Sequence, residues 1–403
     1  MSFISNFVLE VNRSYVNLVT DIILFSLGVL SFINLKSKNI KRFFVVFFIF
    51  IIFVYINNRD KANLLLTVNG IREFIPFFIF PILYMHYLQS SEAKYFVKLF
   101  DRFLIIFLVA QIPVSLYQFS VYGAGDEVGG TLGIGYSGVL TFIIYLSTYY
   151  LMIKDFNRHN IIKSIFNKWY LFIFWIPTFV NETKVSFFLI IFFFLFLFDI
   201  RIHSIFNRKL ITIVLLILVG GYFFDYAYSK ITGENFSNML NEDYIMGYLA
   251  GDVNEKAILE GVDIPRITKI VYTYNIFDAK ELLFGNGIGH FKGGTELPLT
   301  PFADTYSWLL WGSRPMFFFL IIQIGIIGVL LVYCYWFIIL HYVWKNKVVI
   351  EITNNIIIFS TLCFIVIQLY NDLLRSLFFC GIFMFIPVYP LYRYSDETKD
   401  TGH

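Results

Sequence analysis

About eleven apolar, phenylalanine-rich stretches run along this chain, separated by short loops that are basic on every second turn. A helix that crosses hydrocarbon needs about 20 mostly apolar residues. The stretches at 15–34, 43–58, 71–88, 103–121, 137–153, 169–181, 185–199, 210–225, 315–340, 353–370 and 376–392 answer to that need. Strands of a transmembrane barrel alternate apolar and polar residues over about ten positions. The run from Phe43 to Ile56 does not alternate, so the spans are helices. Composition points the same way. Soluble domains are about half apolar and a quarter charged. These 403 residues are 58% hydrophobic and 15% charged, with 50 Phe. The mean hydropathy is +0.71. No water-soluble core of this length hides so much apolar surface. The expected fold is an all-α integral membrane protein, a polytopic bundle of about 11 transmembrane helices.

One loop breaks the rhythm. It runs from Ala227 to Asp304 and holds 11 acidic against 6 basic residues, in a chain of net charge +3. The expected division is a membrane bundle over 1–226, about eight helices. The large loop follows over 227–304, then about three helices over 305–392 and a tail over 393–403. Lysine and arginine set the orientation, because short cytoplasmic loops are enriched in them. One series of loops carries Lys36, Lys38, Lys41 and Arg42, then Lys94, Lys98 and Arg102, and ends with Lys345 and Lys347 before a tail that carries Arg393 and Lys399. That series is assigned to the cytoplasm, which places the N-terminus and the long loop outside. The N-terminus lacks a basic region followed by a small-residue cleavage site, so the first span is expected to serve as its own insertion signal.

Several chemistries find no support. Cys334, Cys363 and Cys380 fall inside spans, leaving the long loop without a disulfide. The six His residues are scattered without metal-ligand spacing. No phosphate-binding Gly-Lys-Ser/Thr loop occurs. No metal, cofactor or nucleic-acid partner is expected.

The outer side carries the residues with chemistry. Pro265 suits the first turn of a helix, and apolar residues at 267, 270, 271 and 274 share one face of it. That pattern predicts an amphipathic helix lying across the bundle. Gly285, Gly287 and Gly289 follow at every second position, where a backbone free of side chains lets a ligand approach; an ordinary flexible turn explains them as well. Gly123 to Gly138 is a second glycine-rich stretch, which turn chemistry explains almost as well as contact with a glycan.

These pieces come in a telling order. An Arg opens a helix, a Gly-x-Gly-x-Gly turn follows, then Asp304-Thr305-Tyr306-Ser307-Trp308 and, inside the next span, Gln323-Ile324-Gly325-Ile326-Ile327-Gly328. Asn69-Gly70-Ile71-Arg72, Gln111, Gly130-Thr131-Leu132-Gly133 and Asn181-Glu182-Thr183-Lys184 accompany them. The set resembles the O-antigen polymerase and O-antigen ligase superfamily of bacterial envelope glycosyltransferases, over most of the chain and through degenerate motifs. The resemblance implies an enzyme of the bacterial inner membrane. It would transfer glycan from undecaprenyl diphosphate, at the outer face, to another lipid-linked unit (a polymerase of O-antigen or capsule) or to lipid A core (a ligase). Membrane lipid is an expected partner, and chain-length regulator and flippase proteins are further candidates.

A diphosphate leaving group needs fixed cations, and the arginine fork suits it. Arg72 and Lys184 lie at the outer boundary, where charge is expensive and functional by default, with snorkelling as the bland account. Adjacent Glu73 is a candidate structural partner for Arg72. Arg266 matches the superfamily's loop arginine and is the strongest candidate for diphosphate binding, against a solvated helix face. Arg314 and Arg375 flank spans, where snorkelling accounts for them. An acceptor hydroxyl needs a base within hydrogen-bond reach. Asp304 stands where ligases commonly carry His, which favours the polymerase; a helix-cap role competes for it. His290 is the secondary candidate base. A flippase is the alternative of another class, and it would show internal repeats, which are not evident here.

Overall fold

The computed structural model describes residues 13–59, 61, 64–154, 165–181, 183, 185–197, 222, 225–226, 229–230, 264–290, 300–310, 312, 314–347 and 350–392. Almost all of the candidate span 210–225, most of the loop 227–304 and the tail 393–403 lie outside the described residues. Among those described the protein is all-α, without strands. The N-terminal helices are α1 (Arg13–Asn34), α2 (Lys38–Asn57), α3 (Leu64–Leu88), α4 (Ala93–Tyr122) and α5 (Ser137–Ile153). A 3₁₀ turn, Trp169–Trp175, leads into α6 (Ile176–Val180), and α7 is Val185–Leu197. Three short helices follow: α8 (Arg266–Ile276), α9 (Ala279–Phe284) and α10 (Pro301–Tyr306). The chain then forms α11 (Met316–Asn346), α12 (Ile350–Tyr370), α13 (Leu377–Phe383) and α14 (Phe385–Val388).

Five of the described helices are long and apolar enough to cross a membrane: α2, α3, α4, α11 and Thr353–Tyr370 of α12. Shorter apolar helices coincide with the remaining described stretches. Several of the long helices outrun their apolar stretches. α2 starts at Lys38 and α4 at Ala93, because lysine and arginine continue a helix beyond its apolar part at little cost. The outer surface of these helices is apolar: Phe48 is 65% exposed and Ile106 is 70% exposed. Surface of that kind belongs against lipid or another protein.

The centre is α5, whose 17 residues are all buried. A helix apolar on every side has to sit inside. Its polar residues tie neighbours to it. Tyr145 and Thr178 share a hydrogen bond of 3.2 Å. Trp175 Nε1 donates to Thr148 Oγ1 at 3.0 Å, and Tyr150 donates to Asp101 at 2.8 Å. Such bonds hold helices together where the surroundings offer no hydrophobic contrast. The helices before and after the long loop share one hydrophobic core, from Leu35 to Tyr392, rather than forming two bodies. A smaller core of Phe277, Leu309, Phe318, Phe319 and Ile322 seats α8 and α10 against the first turns of α11.

Candidate functional site

At one end of the bundle the turn from α12 to α13 gathers three arginines, Arg266, Arg314 and Arg375. α12 ends at Tyr370, a 3₁₀ turn spans Leu373–Arg375, and Ser376 caps α13 by accepting from Phe379 N at 3.3 Å. Arg375 lies inside this turn with its side chain 12% exposed. Its Nε donates to Glu73 at 2.8 Å, its Nη1 to Asp372 at 2.7 Å, and its Nη2 again to Glu73. The guanidinium also stacks 4.1 Å from the Phe319 ring centroid. Burial pulls its pKa below the ordinary value while Asp372 pulls it back up. Arg375 is therefore an internal tie, not a snorkelling side chain. Glu73 belongs to it rather than to Arg72.

Arg72 reaches the other way, to Asp21 on α1, with its Nε 2.9 Å from Oδ2. Arg314 sits 3.9 Å from Asp372, a loose pair. Both keep more than two fifths of their side chains exposed, at 44% and 43%. Arg266 is buried; its Nε donates to the carbonyl of Tyr370 at 3.0 Å, and its guanidinium lies 5.0 Å from the Tyr370 ring. A cation on the last carbonyls of a helix satisfies an acceptor the helix leaves open and complements its dipole. Around the turn, Arg314 and Arg375 thus meet two carboxylates, Glu73 and Asp372, Arg266 meets the Tyr370 carbonyl, and Arg72 pairs separately with Asp21.

α8 packs inside out relative to its apolar pattern. Its buried residues are Arg266, Lys269 and Thr273, while Ile267, Val271 and Tyr274 are exposed. Only Ile270, of the four apolar positions, packs against the core. Pro265 stands just before the helix as its N-cap rather than within its first turn. Lys269, one turn after Arg266, is fully buried, so the inward face is cationic. Sequence reasoning passed over Lys269; its spacing of three from Arg266 was the available signal. It also passed over Asp21, where a carboxylate inside an apolar span was a signal in itself.

The Gly285–Gly289 turn is neither loose nor open to a ligand. Gly285 N donates to Glu281 O at 2.7 Å, Asn286 N to Ile322 O at 2.7 Å, and Gly289 N to Gln323 Oε1 at 3.4 Å. A Cβ on Gly285 would stand 2.5 Å from the backbone of Gln323, and one on Gly289 would overlap the carbonyl of Leu66. Gly70 presses on Gly289 from α3. Gly325 opens α11 with φ 64°, and its own Cβ would overlap the Leu283 carbonyl. The Asn69–Arg72, Gly285–Gly289 and Gln323–Gly328 motifs therefore meet at one backbone junction. Lys61 clamps it from the α2–α3 turn, bonding Glu281 at 2.5 Å and Asn286 at 3.1 Å.

The two candidate bases differ in access. His290 closes the glycine turn with its ring buried against the Lys61 backbone, without a well-formed hydrogen bond to either ring nitrogen. Burial lowers its pKa, and the Lys61 charge adds to that. Asp304 is exposed within α10. It does not cap that helix: Thr300 Oγ1 takes the role, accepting from Ala303 N at 3.1 Å. Two further motifs serve packing. Gln111 holds Thr131 through its side-chain amide, at 2.9 Å from the Thr131 N–H and 2.7 Å from its hydroxyl. Asn181 donates to Ser137 O at 3.2 Å and Thr141 Oγ1 at 2.9 Å. Lys184 lies outside the described residues. Arg266, Arg314 and Arg375 are thus drawn to one turn, Arg72 pairs with Asp21 on α1, and His290 belongs to the glycine junction. Comparison with known proteins gives no match to a family model, a curated protein or a solved structure.

Proposed function

We propose that this protein is a polysaccharide polymerase that joins undecaprenyl-diphosphate-linked repeat units by glycosyl transfer at the outer face of a bacterial inner membrane. The reading includes eleven spans, basic loops in the cytoplasm and the segment 227–304 outside. One observation carries it: a cluster of arginines, richer in cations than in carboxylates, at the end of an apolar bundle. In the reaction an acceptor hydroxyl oxygen bonds to the donor's anomeric carbon. The bond from that carbon to the diphosphate breaks, and the leaving group keeps the electron pair. Arginine forks held in place before reaction stabilise that charge without reorganising.

The half-exposed Arg72 and Arg314 meet the diphosphate in this scheme. Arg314 is the more readily recruited, because its contact with Asp372 is long. Arg266 and Lys269 form the cationic wall behind them, and Arg375 fixes the turn on which they stand. Lys184 is a further diphosphate ligand on the sequence pattern. Asp304 accepts the hydroxyl proton, being open where His290 is enclosed. The apolar outer face of α8 rests on the lipid surface.

The test is a gel profile of surface polysaccharide from a strain lacking the gene, complemented with the wild type, Arg72→Gln or Arg314→Gln. Lipid-linked glycans are extracted in parallel. The expected result is a ladder restored by the wild type alone, with single units left on the final acceptor in both variants at normal membrane abundance. A full ladder in the deletion strain would overturn the proposal. So would long polymer stranded on undecaprenyl diphosphate, which marks a ligase, or units trapped on the cytoplasmic leaflet, which marks a flippase.

A further inference from the structure

At the end of α11 away from the arginines lies a cavity of about 970 Å³, walled by the α1–α2 turn and the last turns of α11. We infer that it binds an anionic lipid through its phosphate headgroup. Lys36 and Lys38 line one side and Lys345 and Lys347 the other, with no carboxylate among the described residues of the lining. The first turn of α2, a helix of 20 residues capped by Ser37, also opens there. The unpaired N–H groups and positive dipole end of such a turn favour a phosphate. Four ammonium groups and a helix N-terminus on one cavity repel one another unless an anion joins them.

The other dimension of the cavity selects a lipid over a free anion. Cys334, Phe337, Ile338, His341 and Tyr342 lead to Lys345 along one face of α11. The eleven helical steps from Cys334 to Lys345 span about 16 Å. The lining thus passes from thiol and aromatic, through imidazole and phenol, to ammonium. Phe337 is 56% exposed and Cys334 is exposed, so the apolar stretch is open from the side. An acyl chain fits along that stretch with its phosphate among the lysines. Inorganic phosphate has no use for it. The inference does not rest on glycosyl transfer.

The experiment uses the full-length protein purified in neutral detergent and titrated with phosphatidylglycerol or phosphatidylcholine, with bound lipid counted by native mass spectrometry. Selective retention of phosphatidylglycerol is expected, undiminished by millimolar inorganic phosphate. A lysine near an anionic headgroup contributes roughly fivefold in affinity, so Lys36→Gln with Lys345→Gln should weaken retention by roughly 30-fold. Lys94→Gln with Lys98→Gln, an equal charge loss in a basic segment outside the lining, should leave it unchanged. All four lysines are exposed, so neither pair of substitutions disturbs the core. Equal retention of the two lipids would overturn the inference. Equal losses in the two double variants would reduce the lysines to orientation-setting charge. Displacement by inorganic phosphate would make the cavity a free-anion site and refute the lipid.

Discussion

Arg375 and Glu73 stand 302 residues apart in sequence and form the most enclosed ion pair at the arginine end. Their charges were legible from the start, but their pairing was not, because it depends on how α3 meets the α12–α13 turn. Removing one partner of such a pair leaves buried charge uncompensated, at a cost of about 3–5 kcal/mol. Arg375→Gln should therefore lower thermal stability in detergent sharply, and adding Glu73→Gln should recover part of the loss. Additive losses in that double-mutant cycle would show the pair to be uncoupled. His290 provides a pH-dependent contribution. Its pKa is lowered by burial from the ordinary 6.5, so the unfolded chain binds a proton more readily than the folded one. Stability is then full above the ordinary value and declines as pH falls below it. Between pH 7.5 and 5.5 the wild type should lose thermal stability more steeply than His290→Phe; parallel pH profiles would remove His290 from the account.

At the scale of elements, α8 and α11 show what a pattern can and cannot convey. The spacing of Ile267, Ile270, Val271 and Tyr274 does point to a helix, and the helix is there. Its orientation is reversed because periodicity identifies a face without saying what lies opposite. Beside a membrane the outside is also apolar, so cations can take the inward side. α11 reads as an unbroken apolar run, yet Gly325 interrupts it. The sequence carries the glycine but not the reason, which is the backbone of Leu283 and Gly285 pressed against it. Two glycines separate conformation from crowding. Gly289 and Gly135 have nearly the same φ, 81° and 80°. A Cβ on Gly289 overlaps Leu66, whereas nothing lies within 4 Å of one on Gly135. Gly135→Ala should cost about 1–2 kcal/mol for the left-handed backbone alone. Gly289→Ala should cost about 2–5 kcal/mol, since overlap adds to it. Thermal melts of the two variants in one detergent check the order, and equal losses would mean that the junction is not tightly packed.

For the whole molecule, hydropathy located the described helices well, because a lipid-facing helix must be apolar along its length whatever its neighbours are. It missed their charged ends, as at Lys38 and Ala93. The stretch 376–392 matches one shorter apolar helical segment, Leu377–Leu391, whose turns change in a region that includes Pro387 and Pro390. The site was legible as a set of motifs and illegible as an arrangement, since glycines selected for a ligand and glycines selected for packing look alike in one dimension. The backbone junction also bears on biogenesis. Gly289 and its acceptor Gln323 are 34 residues apart. When the glycine turn leaves the ribosome, the α3 side of its seat exists and the α11 side does not. The turn must wait, undocked, until α11 is made and its break at Gly325 has formed. Closing this end of the bundle is therefore a late event in the life of the nascent chain, and a truncation before α11 would leave the arginine turn and the glycine knot unbuilt together.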